Sequence, residues 1–175
     1  MAAGTVISTS PDPNIINDTR AALVSNLKWA VKNKTRFGYV EKRPMVLPPY
    51  RAIPAGFACD CSTFVTLMCE WSQAPDPNGY GFNDYGNSDS IDVQLNTIAL
   101  NQTWRGDLVV YGTEGATQHV AMLLQGGTKF TDPQVVSHGD SHGPTLMSIS
   151  VLNAGFRGMR IAYKQLIPGN NPIFA

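Results

Sequence analysis

The chain has 175 residues and a mass of 19.0 kDa, is 43% hydrophobic and 15% charged, and balances thirteen basic residues against thirteen acidic ones. That length suits one domain with a substantial core, and zero net charge excludes a general attraction to nucleic acid or to an anionic membrane. No apolar run approaches the roughly 20 residues needed to span a bilayer, and three cysteines do not make a disulfide framework, so reduced thiols are expected. Charge is nevertheless uneven. Six basic residues lie between Lys28 and Arg43 against Glu41 alone, whereas seven acidic residues from Glu70 to Glu114 face only Arg105. A solvated helix face explains the basic cluster most simply.

Residues 1–14 read as an extended arm, because Pro11 and Pro13 oppose a helix there. The segment MAAGTVISTSPDPN has neither the basic n-region nor the apolar h-region of a signal peptide, so the expectation is a soluble product of the cytosol, delivered by something else if it acts outside. The rest, 15–175, is expected to be a single domain. From Asn17 or Asp18, either a reasonable N-cap, Leu23, Leu27, Ala30 and Val31 repeat at helical spacing and predict about four turns. Residues 35–58, with Pro44, Pro48, Pro49 and Pro54, form a long connection.

Next comes CDCSTFVTLMCEW, positions 59–71. Cys61, Phe64, Val65 and Met68 fall at i, i+3, i+4 and i+7, while Thr63, Thr66 and Glu70 share the opposite face and are assigned to solvent. Asp60 is the N-cap candidate, which sets Cys61 in the first turn, where unpaired N–H groups and the helix dipole favour a thiolate. A second long connection follows at 74–90, rich in Gly, Asn and Asp with three aromatic residues; a loop of that length is usually functional or disordered. A short helix is predicted near Ile91–Leu100. Strands then follow at 108–111, 119–124, 134–137, 145–151 and 160–166, separated by turn residues as in an antiparallel sheet. The fold class is α+β, with helices first and a sheet of five to six strands after.

A cysteine heading an amphipathic helix, with a histidine in an apolar strand about fifty residues on, is what a thiol nucleophile and its base require. In the strand at 118–124 both faces are apolar, which makes it central; His119 emerges near its start, on the sheet face that the cysteine helix is expected to cover. His138 directly follows the next strand and can stand beside His119 as the ring that fixes its tautomer. His142 sits in a turn and reads as a loop residue. Cys59 and Cys69 read as structural, as buried thiols commonly are. His138 and His142 have HxxxH spacing, but Gly139 and Gly143-Pro144 oppose the helix that a zinc site of that spacing needs, so no metal or other cofactor is expected.

The segment Asp60-Cys61-Ser62-Thr63-Phe64-Val65 resembles the D-C-S-G-[FL] nucleophile motif of the NlpC/P60 cysteine peptidases. Gly106-Asp107-Leu108-Val109-Val110-Tyr111 and His119-Val120-Ala121-Met122 are similar to that family's G-D-L-[VI]-x-[FW] and H-V-[GA]-[IL] strands. Thr63 stands where the family usually has Gly. The resemblance implies a papain-like α+β core, a Cys-His-polar triad mapping onto Cys61, His119 and His138, and substrate contacts from Tyr39, Asp60 and Ser62. It also implies that the substrate is the peptide of bacterial peptidoglycan. PDPNGYG after the cysteine helix and VVSHG after the histidine strand resemble variants carried by bacteriophages of actinobacteria, which implies action at the cell wall and other virion proteins as possible partners. The competing expectation is a virion or assembly component that uses the fold as a binding unit, since fold alone does not license activity.

Overall fold

The computed structural model describes residues 12–168; all of the predicted arm except residues 12–14 lies outside them. Helix α1 runs Pro13–Lys32, earlier than predicted, because Asp12 caps it by accepting from Asn14 N–H at 2.8 Å and Pro13 occupies the first turn. Proline is tolerated there: its missing N–H would have had no intrahelical partner. Helix α2 spans Cys61–Trp71 and α3 Ser88–Gln94. The strands are β1 (Thr97–Ile98), β2 (Leu108–Thr113), β3 (Ala116–Leu123), β4 (Gln134–Ser137), β5 (Thr145–Ser148) and β6 (Ile161–Lys164), with helix α4 (Ile149–Gly155) between β5 and β6. Residues 149–151, expected in a strand, are helical: Ile149 and Leu152 turn onto the sheet, a tertiary preference that overrides the local pattern.

The strands form one antiparallel sheet in the order β1-β6-β2-β3-β4-β5. This is an α+β fold. Its central strands are apolar on both faces, and each face makes a core. On one, Leu108, Val110, Val120, Met122 and Val136 meet Phe64, Val65 and Met68 of α2 and Leu23 and Leu27 of α1. On the other, Val109, Tyr111, Ala121, Leu123 and Val135 meet Ile149 and Leu152 of α4. Period-two alternation therefore divides each strand between two compartments.

The predicted polar face of α2 is not solvated. Ser62, Thr63 and Thr66 are all buried, because residues 74–90 fold over that side and the Asn78 amide donates to Thr66 Oγ1 at 2.9 Å. Thr66 Oγ1 in turn donates to Ser62 O, so each hydroxyl finds a partner inside the protein. Most of α2 is consequently covered, and its N-terminal end meets a cleft.

Two buried carboxylates, Asp92 and Asp107, tie the helices to the sheet through ion pairs. Asp92 of α3 accepts from Lys164 and Arg160 at 2.7 Å each. Arg20 of α1, 2% exposed, donates to Asp107 Oδ1 at 3.0 Å and to the carbonyls of Arg105 and Ile167. Asp107 also accepts the N–H groups of Trp104 and Leu166. The carboxylate of the GDL segment thus organises the entry to β2. Removing one partner strands the other charge in a dry site, so Arg20→Ala should destabilise the fold by about 3–5 kcal/mol. Denaturant unfolding of the variant checks this, and a loss under 1 kcal/mol would show that the pair is dispensable.

Candidate active site

Asp60 adopts extended backbone before α2 and its Oδ1 accepts Thr63 N–H at 2.7 Å, which caps the helix and fixes Cys61 as its first residue. Arg43, reaching in from the 35–58 connection, donates to Asp60 Oδ2 at 2.8 Å, to Ser62 Oγ at 2.7 Å and to Gly86 O at 2.6 Å. Ser62 Oγ also donates to Asp60 Oδ1. The cap is therefore held from both sides. The sequence reading missed Arg43, having assigned the basic cluster to one solvated helix face; the cluster in fact divides between α1, the following turn and this cleft.

The Cys61 sulfur is buried and faces the N–H groups of Val120, Ser62 and Cys61 itself, all of which favour a thiolate. Burial is the larger effect, and it pushes the thiol up to about 11. The advantage expected from the helix N-terminus is present but outweighed, so the unliganded protein carries a neutral thiol. Contact with Val120 sets the sulfur beside β3 at the residue next to His119.

His119 alternates onto the face of β3 opposite the one covered by α2, which corrects the expectation. Its ring stacks on Phe156 at 5.1 Å between centroids and lies 6.1 Å from that of Tyr111. A bulge follows Tyr111: Tyr111 pairs with His119 but Gly112 pairs with Thr117, leaving Gln118 as the extra residue. Gly112 has φ 115°, and a Cβ there would come within 2.7 Å of Ala116 O, so only glycine fits the kink. Bulges beside active sites re-aim neighbouring side chains. Here Gln118 and Tyr39 border two adjoining hollows, one of about 560 Å³ containing Cys61 and one of about 610 Å³ containing His119. Nucleophile candidate and base candidate line neighbouring hollows with a shared wall.

The partner of the His119 ring is Ser137, with Oγ 2.8 Å from Nε2. His138, expected in that role, faces the other way. Its Nε2–H is shared between Cys59 O at 3.0 Å and Gly38 O at 3.2 Å, and its ring is surrounded by Phe37, Tyr39 and Phe64. It staples together the two segments that join at Gly38 and Ala58 and lead to Tyr39 and Cys61. Strand alternation carries a signal for this difference: Ser137 follows Val135 on the His119 face of the sheet, and His138 follows Val136 on the other. Only the register of β3 against β4 makes it decisive.

Of the residues assigned to substrate contact, Tyr39 lines both hollows and its hydroxyl donates to Glu41 at 3.3 Å. Burial and the nearby acidic groups raise its phenol well above the ordinary range. Asp60 and Ser62 border the Cys61 hollow, but their side chains are committed to the helix cap and Arg43. Cys59 and Cys69 are buried, with thiols raised by desolvation. His142 is an exposed loop residue paired with Asp140. Among the described residues no three His, Cys, Asp or Glu side chains gather as metal ligands, and no helix is long and apolar enough to cross a membrane.

The geometry is that of an α+β domain in which a helix presents a cysteine at its N-terminus to a sheet carrying a histidine. The pattern that defines the NlpC/P60 family matches residues 49–145, more than half of the chain. The protein belongs to the NlpC/P60 family. Among solved structures it is similar to the NlpC/p60 domain of the peptidoglycan hydrolase SagA, with 22% identity and a TM-score of 0.51 over 83% of this chain and 98% of that one. It is also similar to the peptidoglycan hydrolase RipB of Mycobacterium tuberculosis, with 17% identity and a TM-score of 0.55 over 97% of this chain and 74% of that one. NlpC2 of Trichomonas vaginalis gives a TM-score of 0.56 at 12% identity, covering 87% of this chain and 47% of that one. At these identities the likeness is one of fold. No curated protein matches the chain.

Burial, with repulsion from His138 as a smaller cause, lowers His119 to about 4. The unfolded chain then binds a proton near pH 6.5 that the folded chain resists. Stability contributed by the neutral ring is complete above pH 6.5 and is lost as pH falls towards 4, by roughly 3 kcal/mol for this residue. Chemical denaturation across that range should show the decline in the wild type and a flatter profile in His119→Gln; identical profiles would show that the ring is not shielded from water.

Proposed function

We propose that the protein is a cysteine peptidase that cleaves an amide bond in the peptide of bacterial peptidoglycan, with Cys61 as nucleophile, His119 as base and Ser137 as the residue that orients the base. Family membership supports the reaction class, and SagA and RipB, both described as peptidoglycan hydrolases, support the substrate class. The observation that carries the residue assignment is Cys61 at the head of α2, beside the Val120 N–H of the strand that also carries His119.

The chemistry starts from two neutral groups. The proposed step uses the tautomer in which His119 Nε2–H donates to Ser137 Oγ, 2.8 Å away, so that the Nδ1 lone pair accepts the thiol proton. As the proton leaves, the sulfur attacks the amide carbonyl, and the N–H groups that favoured the thiolate become donors to the developing oxyanion. The imidazolium returns its proton to the leaving amine. Water, deprotonated by the same ring, then releases the acyl group from sulfur. A buried, uncharged ring is suited to this role because it is ready to accept a proton at neutral pH.

The phage setting belongs to the same proposal and is supported by the PDPNGYG and VVSHG segments. The competing role, a particle component using the fold only for binding, gives no task to a cysteine at a helix start beside a hollow that adjoins the one of a strand histidine.

Cys61→Ala should abolish release of fragments from purified peptidoglycan while shifting the melting temperature by no more than about 2 °C, since a small buried side chain is exchanged for a slightly smaller one. His119→Ala should lower the rate by about 10²–10⁴-fold, and Ser137→Ala by less. Undiminished lysis by Cys61→Ala would exclude the mechanism.

A further inference from the structure

The loop between α2 and α3 is built more rigidly than its composition suggests. The Asp76 carboxylate accepts the N–H groups of Asn78, Tyr80 and Phe82 at 3.0, 2.8 and 3.1 Å. Asn78 is buried, donating to Thr66 and accepting from Ser90. Gly86 lies so close to Asn78 that a Cβ would meet its amide at 2.3 Å. Phe82 packs onto the core, and the carbonyls of Asp84 and Gly86 accept from Met45 N–H and Arg43. Phe82 and Asp84 hold φ of 58° and 67°, a conformation unfavourable for residues other than glycine.

This ordered loop leaves Tyr80 and Tyr85 exposed by 52% and 65%. Both line an open hollow of about 550 Å³ together with Arg43, Asn83, Asn87 and Ser90. Arg43 and Asn87 are also in the wall of the Cys61 hollow, so the two are continuous. Among the described residues, the only charged side chain lining the outer hollow is Arg43, and it is already engaged by Asp60. Two exposed aromatic side chains in one hollow with amide and hydroxyl side chains, and its one cation already paired, suit an uncharged ring with an apolar C–H face and polar substituents. They do not suit the charged groups of a wall peptide.

We propose that Tyr80 and Tyr85 form a saccharide subsite, which takes an amino-sugar ring of the glycan strand while the attached peptide enters the Cys61 cleft. Strain and order in this loop serve to hold two tyrosines at a fixed place beside the nucleophile. The proposal rests on the peptidoglycan reading and names how one part of that polymer is held.

The test uses two substrates, a wall stem peptide alone and the same peptide carrying the N-acetylglucosaminyl-N-acetylmuramyl disaccharide. For the wild type, kcat/KM should be about tenfold higher with the disaccharide attached, the equivalent of one aromatic stacking contact or two. In Tyr80→Ala/Tyr85→Ala the advantage should disappear while the rate on bare peptide stays unchanged, which also shows that the variant is folded. Tyr80→Phe/Tyr85→Phe should keep it. Independently, the free disaccharide should perturb the tyrosine ring signals of Cys61→Ala in NMR titration. Equal loss on both substrates, or none on either, would overturn the subsite, as would absence of disaccharide binding. If the wild type hydrolyses bare peptide in a thiol-dependent way while these results fail, the subsite alone is wrong; if it cleaves neither substrate, the peptidase reading falls and the subsite with it.

Discussion

The structure depends on seating the N-terminal end of α2 against β3 without leaving its polar groups unpaired. A helix start carries free N–H groups, and burying them is costly unless something accepts them. Asp60 takes one, Arg43 neutralises Asp60, and the sulfur of Cys61 lies among those that point into the cleft. The connection before α2 supplies Tyr39 and the Arg43 that meets the Ser62 hydroxyl, the loop after it covers the hydroxyl of Thr66, and His138 fastens the approach to Cys61 from the end of β4. Elements distant in sequence are thus recruited to one helix end.

That arrangement bears on the protonation of both groups in the same direction, towards the neutral form. Amides around the sulfur and the dipole of α2 favour a thiolate, yet burial weighs more and keeps the thiol neutral; burial likewise keeps His119 neutral. Ser137, an uncharged partner, orients the ring without setting a negative charge beside it. In the proposed reaction charge therefore develops only as the proton moves and the carbonyl is attacked, where the fixed amide donors meet it.

Much of this was legible in the sequence because it is local. The N-cap at Asp60, the extent of α2, the central position of β3 and the exposed state of His142 follow from spacing and side-chain chemistry a few residues apart. What was not legible depends on register and on long-range cover. Whether Ser137 or His138 meets His119 turns on how β4 pairs with β3 and on which strand face each residue occupies. Thr63 and Thr66 read as solvated because nothing in their own helix announces the loop that buries them. Arg43 was hidden in a run of basic residues, since its role requires Asp60, Ser62 and Gly86 to converge. The helical start at Pro13 is a local miss: a proline that breaks a helix interior is at home in its first turn.

In the proposed reaction Cys61 and His119, which line neighbouring hollows that both border Tyr39 and Gln118, serve the same substrate amide. Acid-quenching a reaction with a defined wall peptide, followed by peptide mapping and mass spectrometry, tests it most directly. The account predicts an acyl thioester on Cys61 in the wild type that forms far more slowly in His119→Ala, with Cys59 and Cys69 unmodified. An acyl group on another residue, or one that accumulates on Cys61 equally fast without the imidazole at 119, would contradict it.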